Sequence, residues 1–282
     1  MIHRVRHVAR YAYDAPVERA AHLLRLRPRA LPHQRVHAAD VCLDPPASTL
    51  REGRDHYGNP VSWAFIDHPH ARFEVAALSA VEVSAPDAPA PFTTPSWEAV
   101  TRAGAARFET AEFTFGSPLA PADGAARAYA AVSFPPGFPV LAGLLDLMGR
   151  IGRDVRLRPG AAVAGAEQAL RCRAGACQDL AHLMIAGLRG LGLPARYVSG
   201  YARGRDAGQP HAWVEGWLGP EGGWIGLDPA GDCLAADGHV LLAWGRDDGD
   251  ARPVQGTLVG GGAHTLRVSV EFDPEARAPA TQ

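Results

Sequence analysis

The stretch from residue 177 to residue 192 constrains the fold most, because it has the length of a helix and is apolar on nearly every side. Its large apolar positions recur three or four residues apart, at Leu180, Met184, Leu188 and Leu191. A helix that is apolar nearly all round belongs to the interior of a protein. Gly192 is its last residue and Pro194 comes shortly after it, and both are typical of a helix end. The sequence therefore predicts a buried central helix that begins at Cys177.

The cysteine at the start of this helix has surroundings that favour a reactive thiolate. A thiol attacks a carbonyl only after losing its proton, and its usual pKa is about 8.5. Gly175 and Ala176 leave the helix N-terminus uncluttered, so backbone N–H groups and the positive end of the helix dipole favour an anion at Cys177. The same N–H groups could hold an oxyanion. Asp179 brings a carboxylate nearby and works against this effect, so a neighbouring imidazolium is needed as the stronger activator.

Two later segments supply an imidazole and a carboxylate. One strand pattern starts at His211, and a second strand pattern ends at Asp228. The turn-like residues 219–223 join them, so a hairpin brings both side chains to the same end, with the carboxylate reaching Nδ1 of the ring. A thiol, a base and an orienting carboxylate make an activated nucleophile. The sequence therefore predicts Cys177, His211 and Asp228 as the catalytic residues of a cysteine-dependent acyl-transfer enzyme.

Each of these residues also has a structural interpretation. A cysteine in a buried helix is more often an inert small apolar residue, and a chain with 12 histidines pairs some of them with cysteines by chance. His182 is a rival base, although one turn into the helix its ring would point along the helix surface. Glu215 and Asp232 are weaker rivals for Asp228. The joint pattern of helix-start cysteine, strand-start histidine and strand-end aspartate favours the catalytic interpretation.

A zinc site is a further alternative, with the ligands Cys172, Cys177, His182 and His211. The two cysteines are separated by four residues, which is at the outer edge of the usual spacing, and a second closely spaced pair is missing. No metal and no cofactor is therefore expected. Cys42 and Cys233 are interpreted as buried or incidental.

Residues 1–85 have the pattern of a β-rich domain, within a chain whose predicted fold class is α+β. They contain five short strand-like segments, at residues 3–13, 20–27, 35–43, 61–66 and 71–83. Their spacing predicts an antiparallel sandwich or barrel-like sheet without catalytic residues. Residues 86–95 are rich in Pro and Ala and predict a linker. Residues 96–282 are assigned to a catalytic core with helical patterns at 122–132 and 140–151, which ends in a surface strand and a polar tail.

The bulk properties exclude several functions. The chain of 282 residues has a net charge of −2, so it lacks the excess of basic residues that is typical of proteins that bind nucleic acid. No apolar run approaches the ~18 residues of a membrane span, and residues 1–14 lack the apolar stretch of a secretory signal. Four cysteines are too few for a disulfide framework. We therefore expect a soluble cytoplasmic protein with a peptide or amide-containing substrate and no nucleic-acid or membrane partner, its oligomeric state being open.

The segments around the three predicted catalytic residues resemble the bacterial transglutaminase-like family, which belongs to the papain-like cysteine protease superfamily. They are residues 175–182, 193–201, 211–215 and 224–229. The front of the chain is similar to the N-terminal extension domain of the same subfamily, at residues 24–29 and 55–59. The resemblance implies Cys177 as nucleophile, His211 as base and Asp228 as orienting carboxylate. It also implies a papain-like core in which the cysteine helix packs on an antiparallel sheet.

The chain departs from the family pattern at four positions. Ala176 stands where the family usually has Val, Ala230 where it has Thr, Leu157 where it has an aromatic residue, and Ala162 where it has Thr. None of these is a predicted catalytic residue. The departures therefore concern the shape of the substrate groove and do not exclude activity.

The expected reaction is attack of Cys177 on an amide or peptide carbonyl, departure of the amine with a proton from His211, and resolution of a thioester. Water gives hydrolysis, and an amine gives transglutamination. Hydrolysis by a protease or amidase is expected, because water is always present and amine transfer needs a site that excludes it. A true transglutaminase and a non-catalytic binding module of the same fold are the alternatives.

Overall fold

The computed structural model describes residues 1–122, 124–204 and 208–273, and has the α+β fold predicted from the sequence. Its strands, in chain order, are β1 (Ile2–Leu24), β2 (Gln34–Asp44), β3 (Thr49–Arg54), β4 (Pro60–Ile66), β5 (His70–Val83), β6 (Arg156–Leu157), β7 (Ala174–Gly175), β8 (Ala195–Ala202), β9 (His211–Trp217), β10 (Trp224–Asp228), β11 (Cys233–Leu234), β12 (His239–Gly245), β13 (Val254–Gly260) and β14 (His264–Phe272). Its helices are α1 (Trp97–Ala105), α2 (Phe108–Ala111), α3 (Gly124–Ala131), α4 (Val140–Asp154), α5 (Ala166–Cys172), α6 (Cys177–Gly190) and α7 (Asp248–Ala251). None of the described helices combines the length and the apolar character needed to cross a bilayer.

The first sheet is built around β1, which is 23 residues long. The strand order is β2-β5-β1-β4-β3, and β13 and β14 also pair with β1. The N-terminal part of β1 lies between β5 and β14, and its C-terminal end lies between β4 and β13. All of these pairs are antiparallel. The predicted β-rich N-terminal region is therefore confirmed as a sheet that curves like half a barrel.

A single strand, β1, replaces two strands that the sequence predicted separately at residues 3–13 and 20–27. The chain continues through Pro16, and the pairing register shifts between Ala12 and Val17 against β5 and between Val17 and Arg19 against β13. Proline cannot donate a hydrogen bond to the ladder, so an irregularity absorbs it and the strand continues. The edge strand β3 was not predicted, because all six of its residues are exposed and it has no apolar face.

The C-terminal strands lie in the first sheet, which differs from the predicted division of the chain. Residues 254–272 were assigned, with the rest of residues 96–282, to the catalytic core, but β13 and β14 both pair with β1 of the N-terminal region. The physical reason is the open edge of β1. Because β5 pairs with only one side of that strand, the other side would present unpaired backbone groups to water, and β14 covers it.

The first sheet contains a buried histidine, His22, whose protonation should oppose folding. Its ring stacks on Phe73 with 4.0 Å between centroids, and neither ring nitrogen has a hydrogen-bond partner among the described residues. Burial, reinforced by nearby His70, lowers the pKa of His22 to about 4. The folded chain therefore resists a proton that the unfolded chain accepts below about pH 6.5. This contribution to stability is complete above pH 6.5 and is lost as the pH falls towards 4.

We expect His22→Phe to reduce the acid sensitivity of the fold. The phenyl ring keeps the stacking on Phe73 and cannot be protonated, so at pH 5 the variant should be more stable than the wild type by about 2 kcal/mol. At pH 8 the two proteins should be similar. Thermal unfolding from pH 4 to pH 8 measures the difference, with the same substitution at exposed His68 as the control. Parallel loss of Tm in wild type and variant would contradict the prediction.

The second sheet has the antiparallel order β11-β10-β9-β8-β12, and α6 packs on its β8 and β9 strands. On its other side α6 contacts α3 and α5. Gly187 allows this close approach, since a Cβ there would lie 2.7 Å from the Cβ of Ala130. The predicted buried helix is therefore confirmed, and it forms the centre of the main hydrophobic core.

The two sheets are joined by buried side chains. Val5 and Val83 of the first sheet pack against Val240 and Leu242 of β12. The turn between β3 and β4 adds a polar contact, because Asn59 donates to the carbonyl of Trp244 at 2.8 Å and accepts from its N–H at 3.0 Å. The N-terminal region therefore holds β12 in position, and β12 begins beside the candidate site.

Candidate active site

Cys177 is the first residue of α6 and lies in a small cleft. The cleft has a volume of about 70 Å³ and lies between the loop at residues 159–161, the start of α6 and residues 209–210. Cys177 is 6% exposed, and its thiol donates to Oε1 of Gln178 at 3.2 Å. Because residue 210 directly precedes His211, the start of α6 and the start of β9 meet at this cleft. Sequence reasoning gave Gln178 no role beside the thiol.

Asp179 ties the start of α6 to the loop that walls the cleft. Its Oδ1 accepts from the N–H groups of Ala164 and Gly165, both at 2.8 Å, and its Oδ2 accepts from that of Ala176 at 2.9 Å. Gly175 makes room for it, because a Cβ there would lie 2.6 Å from the Cβ of Asp179. From the sequence, this carboxylate is predicted to oppose a thiolate. The structure shows three backbone donors that stabilise its charge and give it a structural role.

We expect Asp179→Ala to destabilise the fold by about 3 kcal/mol, because it leaves three backbone donors without their acceptor. Urea unfolding measures the loss. Asp146→Ala is the matched control, since Asp146 is an exposed carboxylate on α4. A variant at position 179 that unfolds at the wild-type urea concentration would show that the three hydrogen bonds to Asp179 contribute nothing to stability.

His211 and Asp228 form a buried pair at the end of the second sheet. Nε2 of His211 lies 2.9 Å from Oδ2 of Asp228, and both side chains are almost fully buried. Strand pairing explains the meeting, because β9 and β10 run antiparallel and Leu227 stands opposite Val214. The sequence predicts the carboxylate at Nδ1 of the ring. The ring is turned the other way, so Nε2–H, and not Nδ1–H, donates to Asp228.

Asp228 is held in its ionised form by four hydrogen-bond donors. Oδ1 accepts from the N–H groups of Ala230 and Gly231, both at 3.1 Å, and Oδ2 accepts from His211 and, at 3.3 Å, from Nε2 of His239. Burial raises the pKa of Asp228, but the hydrogen bonds from the two histidines outweigh it and hold that pKa well below its usual value. The carboxylate is therefore an anion across the physiological pH range.

His239 was missed by sequence reasoning. It starts β12, a strand that was not predicted even though the chain has an apolar run at residues 240–244 after the turn-like Asp237-Gly238. That run could have indicated a strand, but no local pattern connects it to Asp228. The contact arises because β12 pairs with β8 and brings His239 opposite Ala202.

The rival residues have other partners. Nε2 of His182 accepts from the N–H of Asp248 at 3.1 Å, and burial lowers the pKa of His182 to about 4. Glu215 pairs with Arg196 at 2.5 Å. Asp232 is exposed beside α4, on a left-handed turn. None of the three rivals is therefore placed to exchange a proton with Cys177 or to orient His211.

The residues considered for zinc are not gathered into one site. Among the described parts of the chain, three potential ligand atoms lie within 4.8 Å of one another only at His211, Asp228 and His239. Cys172 is exposed, with its sulfur 3.2 Å from Nε2 of Gln168. Cys42 is also exposed, so of the two interpretations given for it, buried or incidental, the buried one does not hold, whereas Cys233 is partly buried.

Comparison with known proteins identifies the family. Two family models match: the bacterial transglutaminase-like N-terminal region at residues 3–82 and the transglutaminase-like superfamily at residues 147–229. An uncharacterized protein of Mycobacterium tuberculosis is 34% identical over 291 residues, covering 96% of this chain and 92% of that protein. The chain belongs to the bacterial transglutaminase-like family. Members of the transglutaminase-like superfamily are usually cysteine-dependent enzymes.

Further relatives place this bacterial transglutaminase-like chain in context. An uncharacterized protein of Mycobacterium leprae is 31% identical, with 95% of this chain and 97% of that protein covered. A protein-glutamine gamma-glutamyltransferase of Pseudomonas aeruginosa is 43% identical over 67 residues, which cover 20% of this chain and 10% of that protein. A Cytophaga hutchinsonii protein described as a candidate cysteine protease has a crystal structure that matches with a TM-score of 0.76. It is 21% identical and covers 99% of this chain and 93% of its own. This last likeness shows the shared fold.

Proposed function

We propose that this bacterial transglutaminase-like protein is a cysteine-dependent acyl-transfer enzyme that acts on amide or peptide bonds. In this proposal Cys177 is the nucleophile, His211 the base and Asp228 the carboxylate that orients the base. The observation that supports it most is the buried contact of 2.9 Å between Nε2 of His211 and the ionised Asp228. That contact leaves Nδ1 as the basic nitrogen, at the start of a strand that adjoins the cleft of Cys177.

The reaction begins with transfer of the Cys177 proton to Nδ1 of His211. The thiolate sulfur bonds to the carbonyl carbon, and the negative charge passes to the carbonyl oxygen near the N–H groups at the start of α6. The C–N bond then breaks, and the amine leaves with the proton of His211. In the second half, water gives a proton to His211 and attacks the thioester, so that a carboxylic acid is released and the thiol is restored.

Hydrolysis is the outcome we propose, because water reaches any open site whereas transfer requires an amine to outcompete it. Transfer to an amine and a non-catalytic binding role are the alternatives. Released acid indicates hydrolysis, incorporation of a labelled amine indicates transfer, and an unreactive Cys177 indicates a binding module. A cytoplasmic location and the absence of nucleic-acid and membrane partners stay predictions.

The test has two parts, both on the full chain. The first measures alkylation of each cysteine by iodoacetamide at pH 6, resolved by mass spectrometry. Cys177 should react faster than exposed Cys172, although it is far more buried, because only an activated thiol forms thiolate at that pH. The second measures turnover of a panel of amides and peptides, with and without added amine. Cys177→Ala should abolish turnover and Cys172→Ala should preserve it. Turnover that survives in Cys177→Ala would exclude the proposed mechanism.

A further inference from the structure

We propose that His239 is a positioning residue that shares the carboxylate of Asp228 with His211 and thereby sets how strongly His211 holds a proton. The inference rests on the function proposed above, in which His211 is the base. His239 starts β12, which is three strands away from β10, the strand of Asp228, in the order β10-β9-β8-β12. Its contact with Asp228 therefore spans the sheet and cannot be explained by neighbouring strands alone.

One oxygen of Asp228 lies between two imidazole rings. Oδ2 is 2.9 Å from Nε2 of His211 and 3.3 Å from Nε2 of His239. The other oxygen, Oδ1, is occupied by the N–H groups of Ala230 and Gly231. Because the carboxylate is fully buried and each oxygen accepts two hydrogen bonds, its orientation and its charge are both fixed.

The second nitrogen of His239 fixes the position of its proton. Nδ1 accepts a hydrogen bond from the backbone N–H of Ala236 at 3.2 Å. A nitrogen that accepts an N–H has no proton of its own, so the neutral ring carries its hydrogen on Nε2, which faces Asp228. His239 is therefore a neutral hydrogen-bond donor to the same oxygen that His211 uses.

Trp213 keeps the two rings in a fixed relation. It stacks on His211 with 6.2 Å between centroids and meets His239 edge-on at 5.3 Å. Gly200 gives the indole its space, because a Cβ there would lie 2.5 Å from the Trp213 ring. The side chain of His239 is 9% exposed, at a narrow cleft on the Trp213 face of the sheet. The packing therefore allows His239 little freedom to leave Asp228.

The other ionisable groups around His239 do not replace Asp228 as its partner. Glu215 and His33 line the same narrow cleft, but the charge of Glu215 is matched by Arg196 at 2.5 Å. Cys233 on β11 stands opposite Asp228 in the strand pairing. The backbone carbonyl of Asp237 contacts His3 of the first sheet. Asp228 is thus the anion that His239 contacts directly.

A shared carboxylate binds a proton on His211 less strongly than one that serves His211 alone. Each additional donor stabilises the carboxylate charge and weakens its attraction for a neighbouring imidazolium. Loss of the Nε2 donor of His239 should therefore raise the pH at which His211 gives up its proton. Loss of the Nδ1 acceptor alone should leave that pH unchanged.

A matched pair of variants separates the two nitrogens of His239. His239→Gln keeps an N–H donor near Nε2 and loses the acceptor, whereas His239→Asn keeps an acceptor near Nδ1 and loses the donor. NMR titration of the His211 ring in the full chain is the main measurement. We expect its midpoint to rise by about half a pH unit or more in His239→Asn and to match the wild type in His239→Gln. A purely structural role would lower stability without moving this midpoint.

The proposal is overturned if His239→Asn leaves the His211 midpoint unchanged, or if His239→Gln moves it as far as His239→Asn does. Should His239→Asn fail to fold, the ring nitrogens of wild-type His239 decide, because a proton found on Nδ1 instead of Nε2 contradicts the hydrogen bonding described above. The alkylation rate of Cys177 is recorded in the same samples. An unreactive Cys177 in the wild type would refute the proposed function, while the titration of His211 still tests His239 independently.

Discussion

Asp228→Asn is expected to lower kcat/KM for any amide substrate of this protein by roughly 10³- to 10⁴-fold. Asparagine has the shape of aspartate, but it presents one oxygen and one NH₂ group. If its oxygen continues to accept from Ala230 and Gly231, its NH₂ group faces the Nε2–H of His211. Two donors repel, so the ring moves its proton to Nδ1, and Nδ1 can no longer take a proton from Cys177.

Asp232→Asn is the control for this prediction. It makes the same chemical change four residues away, at an exposed carboxylate, whereas the carboxylate that both histidines of the site contact is that of Asp228. Circular dichroism and urea unfolding establish that both variants are folded. The prediction fails if Asp228→Asn, folded, retains kcat/KM within tenfold of the wild type, or if both variants lose activity equally.

The three site residues were predicted from the positions at which one helix and two strands begin or end. These positions are what the sequence predicts most reliably here. A helix that starts at Cys177, a strand that starts at His211 and a strand that ends at Asp228 all occur as expected. Period-two alternation and a short turn fix which ends of a hairpin meet. The ring orientation of His211 was predicted wrongly, because it depends on a side-chain rotation that no backbone pattern encodes.

Contacts between distant segments explain what the sequence could not predict. His239 reaches Asp228 only because β12 pairs with β8, and local sequence carries no information about that pairing. The same reason applies to β13 and β14, whose position in the first sheet follows from the open edge of β1. Short amphipathic helices such as α1 and α5 were also missed, because seven to nine residues give too little periodic signal.

In the second sheet, we expect substitutions at the buried ion pair between Arg196 and Glu215 to cause the largest loss of stability. Nε of Arg196 lies 2.5 Å from Oε2 of Glu215, and the guanidinium is sandwiched between the rings of Trp224 and Trp244, at 4.3 and 3.6 Å. Burial lowers the pKa of Arg196, and the nearby Glu215 charge opposes that effect. The guanidinium of Arg29, from the N-terminal region, also stacks on the Trp244 ring, at 3.5 Å from its centroid. The pair therefore links β8, β9, β10 and β12.

Arg196→Met is expected to destabilise the fold by roughly 3–5 kcal/mol, because it leaves the Glu215 carboxylate buried without a counter-charge. The double variant Arg196→Met/Glu215→Leu should recover most of that loss, since no buried charge remains. The deficit of the single variant should also shrink as the pH falls from 8 to 5. An unpaired buried carboxyl has a raised pKa in the folded state, so protonation relieves the penalty there. Urea unfolding of the single and double variants at both pH values measures these effects. An equal loss of stability in the two variants would show that lost packing against the tryptophans, and not the unpaired charge of Glu215, causes the destabilisation.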